Sequence, residues 1–147
     1  MPTPGGPVDK EDTSFGQGQI LVSPLSAAVM AATAAGGTYR PPVLVKEPGA
    51  ELPPDEPLDS GLAADLRQMM RAVVTNGTGR AVAGAQGGQV SGKTGTAEFG
   101  NDNPPKAHAW FVGFQGDVAF AVFVEGGEFG GSTAAPIANS FLGQLAG

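Results

Sequence analysis

Three segments of the chain carry apolar residues at helical spacing, and the first of them is marked at both ends. The segment "SPLSAAVMAATAAGG" begins with Ser23 as a candidate N-cap and Pro24 at the first helical position. It ends at the glycine pair Gly36-Gly37, which is typical of a helix C-terminus. The body of the segment is mostly alanine. The pattern therefore predicts a helix that packs closely against a neighbouring element.

The second helical segment, "DSGLAADLRQMMRAVVTNG", has the clearest periodicity. Asp59 or Ser60 is the candidate cap, and Asn76-Gly77 is the candidate stop. The apolar stripe consists of Leu62, Leu66, Met69, Met70 and Val73. Both methionines lie within the stripe, so we expect them to fill core space.

A third helix is predicted close to the last residues of the sequence. The segment "STAAPIANSFLGQL" places Ile137, Phe141 and Leu145 at helical spacing. Ser132 or Thr133 is its candidate cap. We expect these three side chains to form one face of the helix.

Three strands are predicted between the second and third helices. The first runs from Gln89 to Phe99, and the apolar runs "HAWFVGF" and "VAFAVFVE" follow it. The short link Gln115-Gly116-Asp117 between these two runs is typical of a hairpin. Both faces of the last run are apolar, which favours cover on both sides. Trp110, Val112 and Phe114 alternate on one face, so we expect them to belong to the core.

The order of these elements predicts the fold class. A short extended piece around Val43 to Val45 and an acidic, proline-rich loop from Glu47 to Pro57 separate the first two helices. Helix, helix, three antiparallel strands and helix together indicate an α/β (α+β) fold, with an antiparallel sheet flanked by helices. We expect residues 14–147 to form one domain and residues 1–13 to form a flexible tail.

Composition narrows the possible partners. The 147 residues carry a formal charge of −6, which repels nucleic acid phosphates, so no nucleic acid partner is predicted. The sequence has no cysteine, and its single histidine, His108, has no partner cluster for a metal that needs about three or four ligands. No metal or other cofactor is predicted. No window of about 18 apolar residues and no secretion signal is found, so we expect no membrane segment in this chain.

The stretch "GGQVSGKTGTAEFG" allows two kinds of chemistry. From Gly87 to Thr94 it matches G-x-x-x-x-G-K-T, the phosphate loop of nucleotide-binding proteins. That loop needs a helix directly after it, whereas Gly95, Gly100 and the prolines that follow disfavour a helix here. Nucleotide binding therefore stays the weaker alternative.

The other interpretation places the same residues on a strand. Gly92 and Gly95 would leave the strand edge bare, so that an extended peptide could pair with its backbone. Lys93 would add a positive charge, and Thr94 and Thr96 would add hydroxyl donors suited to a carboxylate. An exposed strand with a solvated lysine remains the simpler alternative from this stretch alone. Strict alternation would place Lys93 opposite the two threonines, and we expect its long stem and a twisted edge to bring the three together.

Four segments in order resemble the C-terminal part of class B penicillin-binding proteins, the serine D,D-transpeptidases that cross-link peptidoglycan. They are "SFGQGQILVSPLSAAVMAATAAGG", "NGTGRAV", "SGKTGTAE", and the pair "HAWFVGF" and "VAFAVFVE". The resemblance covers the chain from Ser14 to Leu145, and the alanine- and glycine-rich texture is most similar to the actinobacterial penicillin-binding lipoproteins. It implies a partial β-lactamase/transpeptidase-like fold.

The resemblance also implies roles for individual residues. Lys93 would line the active site, help to bind the substrate carboxylate and order the hydrogen bonds around the nucleophile. Thr94, Gly95 and Thr96 would bind the carboxylate end of a D-Ala-D-Ala stem peptide or of a β-lactam. The backbone N–H of Thr96 would supply half of the oxyanion hole. The family resemblance further implies a location at the outer face of the cytoplasmic membrane, in the periplasmic or cell-wall space.

Two elements of the family pattern are missing from this sequence. None of its serines begins an S-x-x-K or an S-x-N motif. Without a nucleophile the chain alone is expected to be inactive. We expect a complementary N-terminal polypeptide of the same enzyme to carry the serine, and we expect the chain without it to expose apolar sheet surface and to be marginally stable or associated. A noncatalytic peptidoglycan-binding or partner-binding module remains a further alternative.

Overall fold

The computed structural model describes residues 20–45, 48–49, 51–100 and 102–147. The predicted tail, residues 1–13, lies outside this part of the chain. The elements are α1 (Pro24–Gly36), β1 (Thr38–Tyr39), β2 (Glu56–Pro57), α2 (Ser60–Thr75), a 3-10 turn (Arg80–Val82), β3 (Val90–Phe99), β4 (Lys106–Gln115), β5 (Val118–Val124), a π-helical turn (Gly130–Ala134) and α3 (Ala135–Leu145). The predicted order of helices and sheet strands is confirmed.

The caps of α1 and α2 lie where the sequence places them. The Ser26 N–H donates to the Ser23 hydroxyl at 3.1 Å, and the Leu62 N–H donates to the Asp59 carboxylate at 2.9 Å. Helix α1 ends at Gly37, whose φ of 70° is the left-handed conformation that glycine adopts without strain. The Ser23 and Asp59 side chains each accept from a backbone N–H that would otherwise lack a partner in the first turn of its helix.

Strands β3, β4 and β5 form a three-stranded antiparallel sheet in that order. In the register, Lys93 lies opposite Val112 and Thr94 lies opposite Phe111. A two-residue turn, Gly116-Asp117, joins β4 to β5 and closes the predicted hairpin. Because side chains alternate along each strand, the register assigns Thr94 and Phe111 to one face and Lys93 and Val112 to the other.

Helix α3 covers the face that carries Phe111, and this closed face holds the core. The core consists of Val74, Val82, Val90, Ala109, Phe111, Phe120, Ala134, Ala135, Ala138 and Leu142, all of them buried. Phe111 and Leu142 are the largest side chains with no solvent exposure. Several glycines and alanines in these elements let the helix approach the sheet closely.

The structure corrects two expectations about packing. Trp110 and Phe114 are only half-buried, because the face they share is incompletely covered, and Phe111 on the opposite face is fully buried instead. On α3 the predicted stripe of Ile137, Phe141 and Leu145 is exposed. The helix is rotated so that alanines and Leu142 face the sheet, since small residues allow the close approach.

The region between α1 and α2 also differs from the prediction. Val43 to Val45 form no strand. The extended pair is Thr38–Tyr39 with Glu56–Pro57, which brings the second half of the acidic loop back to the end of α1. An ion pair between the Arg40 guanidinium and the Asp55 carboxylate, 2.8 Å apart, lies beside this pairing.

Candidate active site

Strand β3 is an edge strand of the described sheet, and it carries all the predicted site residues. It pairs with β4 on one side, and no strand among the described residues pairs with its other side. Lys93 lies in the middle of this ten-residue strand. The phosphate-loop interpretation required a loop followed by a helix at this point. The structure has a continuous strand there, so it contradicts the context that nucleotide binding needs.

Lys93 is exposed on the open face of the sheet. Its ammonium nitrogen, Nζ, donates to the backbone carbonyl oxygen of Thr94 at 2.6 Å. The side chain therefore bends back over its own strand. This bend holds the positive charge beside the strand edge, where an approaching anion would meet it.

Thr94 is the most enclosed of the predicted ligand-binding residues, with a relative exposure of 8%. Its hydroxyl oxygen lies 2.5 Å from the hydroxyl oxygen of Thr78. Thr78 belongs to the turn after α2, in the segment "NGTGRAV". That segment is part of the family resemblance, but no site residue was predicted in it, since sequence spacing does not show which turn contacts a strand.

Gly95 lies where two other elements approach the strand. A β-carbon on Gly95 would lie 3.2 Å from that of Trp110 on the neighbouring strand. Gly130, at the start of the π-helical turn, is so close that a β-carbon there would lie 2.5 Å from the Gly95 carbonyl oxygen and would also collide with the Trp110 carbonyl. The strand backbone is thus fixed from the closed face. Thr96, one residue further along, is half-buried.

A groove of about 650 Å³ runs along the edge of β3, and we call it the strand groove. It is lined by Ile20, Leu21, Val22, Ala27, Lys93, Thr94, Gly95, Thr96, Ala97, His108, Trp110, Val112 and Phe123. Lys93 lies on the opposite face of the sheet from Thr94 and Thr96, as alternation requires. All four residues from Lys93 to Thr96 nevertheless border the strand groove, because β3 is at the edge and the groove is open to both of its faces.

A second cavity of about 660 Å³ lies between α1 and α2 over the open face, and we call it the helix groove. It is lined by Met30, Ala31, Thr33, Ala34, Leu58, Leu66, Met69, Met70, Val73, Lys93 and Val112. Thr33 and Lys93 are the polar residues in this set. Four members of the stripe predicted for α2 border this apolar cavity, and Leu62 does not. The expectation that both methionines fill core space is wrong, since Met69 is 57% exposed and neither belongs to the core cluster. Lys93 and Val112 line both grooves, so the two share a wall.

His108 lies on β4 and lines the strand groove. Its Nδ1 accepts a hydrogen bond from the Gly126 N–H at 3.2 Å. The ring of Phe99 stacks on it with 4.0 Å between centroids, and Phe123 meets it edge-on at 5.1 Å. These contacts give His108 a packing role in the aromatic wall of the groove.

A comparison with protein-family models decides the family. The model described as the penicillin-binding protein transpeptidase domain matches residues 1–143. The chain belongs to this family. The family prediction made from the K-T-G strand and its neighbouring segments is therefore confirmed.

Three relatives of this transpeptidase-domain chain are named peptidoglycan D,D-transpeptidases. It is 30% identical over 160 residues to the stage V sporulation protein D of Bacillus subtilis, covering 93% of this chain and 24% of that protein. It is 37% identical over 155 residues to the peptidoglycan D,D-transpeptidase PbpA of Mycolicibacterium smegmatis, covering 88% of this chain and 30% of that protein. The chain thus spans less than a third of the length of these relatives.

Solved structures agree with the fold of this family. One, described under "Structural coordination of polymerization and crosslinking by a peptidoglycan synthase complex", superimposes with a TM-score of 0.78 at 30% identity, over 97% of this chain and 26% of that one. Pseudomonas aeruginosa PBP2 in complex with WCK 5153 superimposes with a TM-score of 0.73 at 29% identity, over 96% and 32%. The predicted α/β (α+β) class with an antiparallel sheet flanked by helices is confirmed. Within the described residues, no helix combines the length and apolarity needed to cross a membrane.

Proposed function

We propose that this chain supplies the substrate-binding strand of a serine D,D-transpeptidase that cross-links peptidoglycan. The observation that carries the proposal is the open edge of β3, where Lys93, Thr94, Gly95 and Thr96 border a single groove. Membership of the transpeptidase-domain family supports the reaction class, as do relatives named peptidoglycan D,D-transpeptidase.

The proposed ligand is the D-Ala-D-Ala end of a stem peptide, or a β-lactam that resembles it. An extended peptide pairs with the β3 edge that no described strand occupies, and Gly95 keeps the strand surface bare beneath it. The hydroxyls of Thr94 and Thr96 donate to the terminal carboxylate, while the Lys93 ammonium adds a charge-assisted attraction. Acyl transfer by a serine needs no cofactor, so none is assigned.

In the proposed reaction, a serine hydroxyl from a second polypeptide attacks the carbonyl carbon of the penultimate D-alanine. The Thr96 backbone N–H donates to the oxyanion that forms, as half of the oxyanion hole. The C–N bond to the terminal D-alanine then breaks, that residue leaves as the free amine, and an acyl ester remains. The amine of a second stem peptide next takes the acyl group and releases the serine. Lys93 orders the hydrogen bonds around that serine throughout.

The nucleophile-bearing polypeptide is proposed to occupy the helix groove. That groove is apolar, as the face of a docking helix would require, and its lining contains one charge, Lys93. A helix lying there would pass directly beside Lys93, so a serine on it would reach the strand groove across the shared wall. The proposed location of the assembled enzyme is the outer face of the cytoplasmic membrane, where peptidoglycan is cross-linked.

Labelling with a fluorescent penicillin tests this assignment. The full chain is co-expressed with a polypeptide of the same family that carries S-x-x-K and S-x-N, purified, incubated with the penicillin and analysed by intact mass. We expect the covalent label on the second polypeptide, in a complex that contains this chain. Binding of a stem peptide with no label on either polypeptide would instead indicate a noncatalytic peptidoglycan-binding module.

A matched pair of variants on α2 tests the docking site. Leu66 lines the helix groove, whereas Leu62, one turn earlier, does not and is 50% exposed. We expect Leu66→Asp to abolish co-purification and labelling, because a carboxylate would be desolvated against the docked apolar face. Leu62→Asp should leave both unchanged. Equal behaviour of the two variants would contradict docking in the helix groove.

A further inference from the structure

Two threonine hydroxyls meet beside the strand groove, one on a buried residue, Thr94, and one on an exposed residue, Thr78. Thr78 lies in the turn between α2 and the 3-10 turn, and Thr94 lies in β3. Their hydroxyl oxygens are 2.5 Å apart, and either could be the donor. Thr94 lines the strand groove, whereas Thr78 is not part of its lining. A ligand in the groove would therefore contact Thr94, while Thr78 contacts Thr94 from outside the groove lining.

The turn that carries Thr78 is held from two directions. The Gly77 N–H and the Gly79 N–H donate to carbonyl oxygens in the last turn of α2, with the Gly79 N–H 3.0 Å from the Val73 oxygen. On the other side, Gly131 is so close that a β-carbon on it would lie 2.6 Å from the Thr78 carbonyl oxygen. The backbone at Thr78 is thus held between α2 and the π-helical turn, and the Thr78 hydroxyl, on a residue that is otherwise exposed, lies against that of Thr94.

The number of hydroxyl protons decides which threonine donates in this contact when an anion is bound. Each hydroxyl has one proton and can accept through its oxygen. If Thr94 donated to Thr78, it would present only lone pairs to the groove and would repel a carboxylate. If Thr78 donates to Thr94, the Thr94 proton is free for the ligand, and the incoming hydrogen bond polarises it into a stronger donor.

We propose that Thr78 is a positioning residue for carboxylate recognition, which acts by donating its hydroxyl proton to Thr94. This inference rests on the proposed function, since it assumes a carboxylate ligand at β3. It adds a residue from the turn after α2 to a site otherwise built from one strand. A ligand with a neutral amide end, which can itself donate, would gain little from the arrangement.

The test compares two probes on the full chain. N-acetyl-D-Ala-D-Ala and its C-terminal carboxamide are titrated into the ¹⁵N-labelled protein, and shifts of the Lys93 to Ala97 amides give the two dissociation constants. We expect Thr78→Val, which keeps the shape of threonine, to weaken binding of the free acid about threefold to tenfold, the range of a single hydrogen bond. Binding of the carboxamide should change less than twofold by the same reasoning, and Thr78→Ser, which restores the hydroxyl, should recover binding of the free acid.

Control variants separate this role from a structural one. Thr75→Val, in the last turn of the same helix, removes a hydroxyl that bonds only within the end of α2 and should leave both constants unchanged. In a double-mutant cycle, Thr78→Val should have no further effect once Thr94 is valine. If Thr78→Val does not fold, Thr78→Ala is used for the same comparison, and failure of both to fold would show a structural role and overturn the inference.

The remaining outcomes are distinct. No perturbation of Lys93 to Ala97 in the unchanged protein by the free acid would overturn the proposed function and the inference with it. Binding by the unchanged protein that Thr78→Val leaves intact would overturn only the inference about Thr78. Equal losses for the free acid and the carboxamide would assign Thr78 a structural role, which also contradicts the inference.

Discussion

The two faces of the three-stranded sheet differ in how completely they are covered. On the closed face, Phe111 and Leu142 have no solvent exposure, and helix α3 packs directly on the strands. On the open face, α1 and α2 leave two cavities of about 650 and 660 Å³. The closed face provides the stability of the chain. The open face and the unpaired edge of β3 carry the surfaces where we propose that a ligand and a second polypeptide bind.

A close contact between Gly130 and Gly95 couples the packing of the closed face to strand β3. Gly130 on the closed face contacts the backbone of Gly95, and the Lys93 side chain leaves the same strand on the open face. The positions of Lys93 to Thr96 therefore depend on the packing beneath them. Substitutions on the closed face should change the free energy of unfolding more than ligand binding. Substitutions on the open face should change ligand binding more than the free energy of unfolding.

The largest expected effect comes from truncating a core aromatic on the closed face. Phe111→Ala should lower the free energy of unfolding by about 3–5 kcal/mol, since it removes a fully buried ring and leaves a cavity. Phe114→Ala, three residues along β4 on the open face, should cost less than half as much, because Phe114 is only half-buried. Urea unfolding of both variants measures the difference. Equal losses would show that the two faces are equally packed.

The next effect tests the contact between the faces. Gly130→Ala should lower the free energy of unfolding by about 1–3 kcal/mol, because its methyl group would collide with backbone atoms of two strands that cannot move independently. It should also shift the amide signals of Lys93 to Thr96. Gly143→Ala, in α3 with nothing within 4 Å of the added carbon, serves as control and should stabilise the chain by up to about 1 kcal/mol. Unaltered stability of Gly130→Ala would refute the close contact.

The smallest expected effect on stability comes from a substitution on the open face. That substitution should weaken ligand binding and leave stability almost unchanged. Lys93→Met should weaken binding of N-acetyl-D-Ala-D-Ala about tenfold through loss of a charge-assisted hydrogen bond, and should leave the urea midpoint nearly unchanged. Lys106→Met is the matched control, since Lys106 is an exposed β4 lysine paired with Asp102 at 3.1 Å. Lys106→Met should leave binding of N-acetyl-D-Ala-D-Ala unchanged. A similar loss in both variants would indicate a general charge effect.

Local sequence signals predicted the elements, because the interactions that set their ends are local. Ser23, Asp59 and Gly37 each act within one turn of their own helix. The strand that carries Lys93 was predicted within one residue at its start. Glycines and prolines after Lys93 excluded a helix, and that exclusion was sufficient to set aside the phosphate-loop match.

Packing was predicted less well, because it depends on which face meets which neighbour. In β4 both alternating sets are apolar, so the sequence pattern could not show that Phe111 is buried and Trp110 half-exposed. In α3 the larger residues suggested the wrong face, since the sheet accepts alanines there. Thr78 was missed for the same reason: its contact with Thr94 spans 16 residues and requires the α2 turn to fold back onto β3.

The wall of Lys93 and Val112 that the two grooves share has a thermodynamic consequence. If a docked polypeptide orders the Lys93 side chain, it must raise the affinity for a carboxylate ligand, and linkage requires that ligand to raise the affinity for the polypeptide by the same factor. Substrate and partner would then bind cooperatively through one side chain. An unassembled chain would hold its ligand weakly, and only assembly would make it a strong receptor.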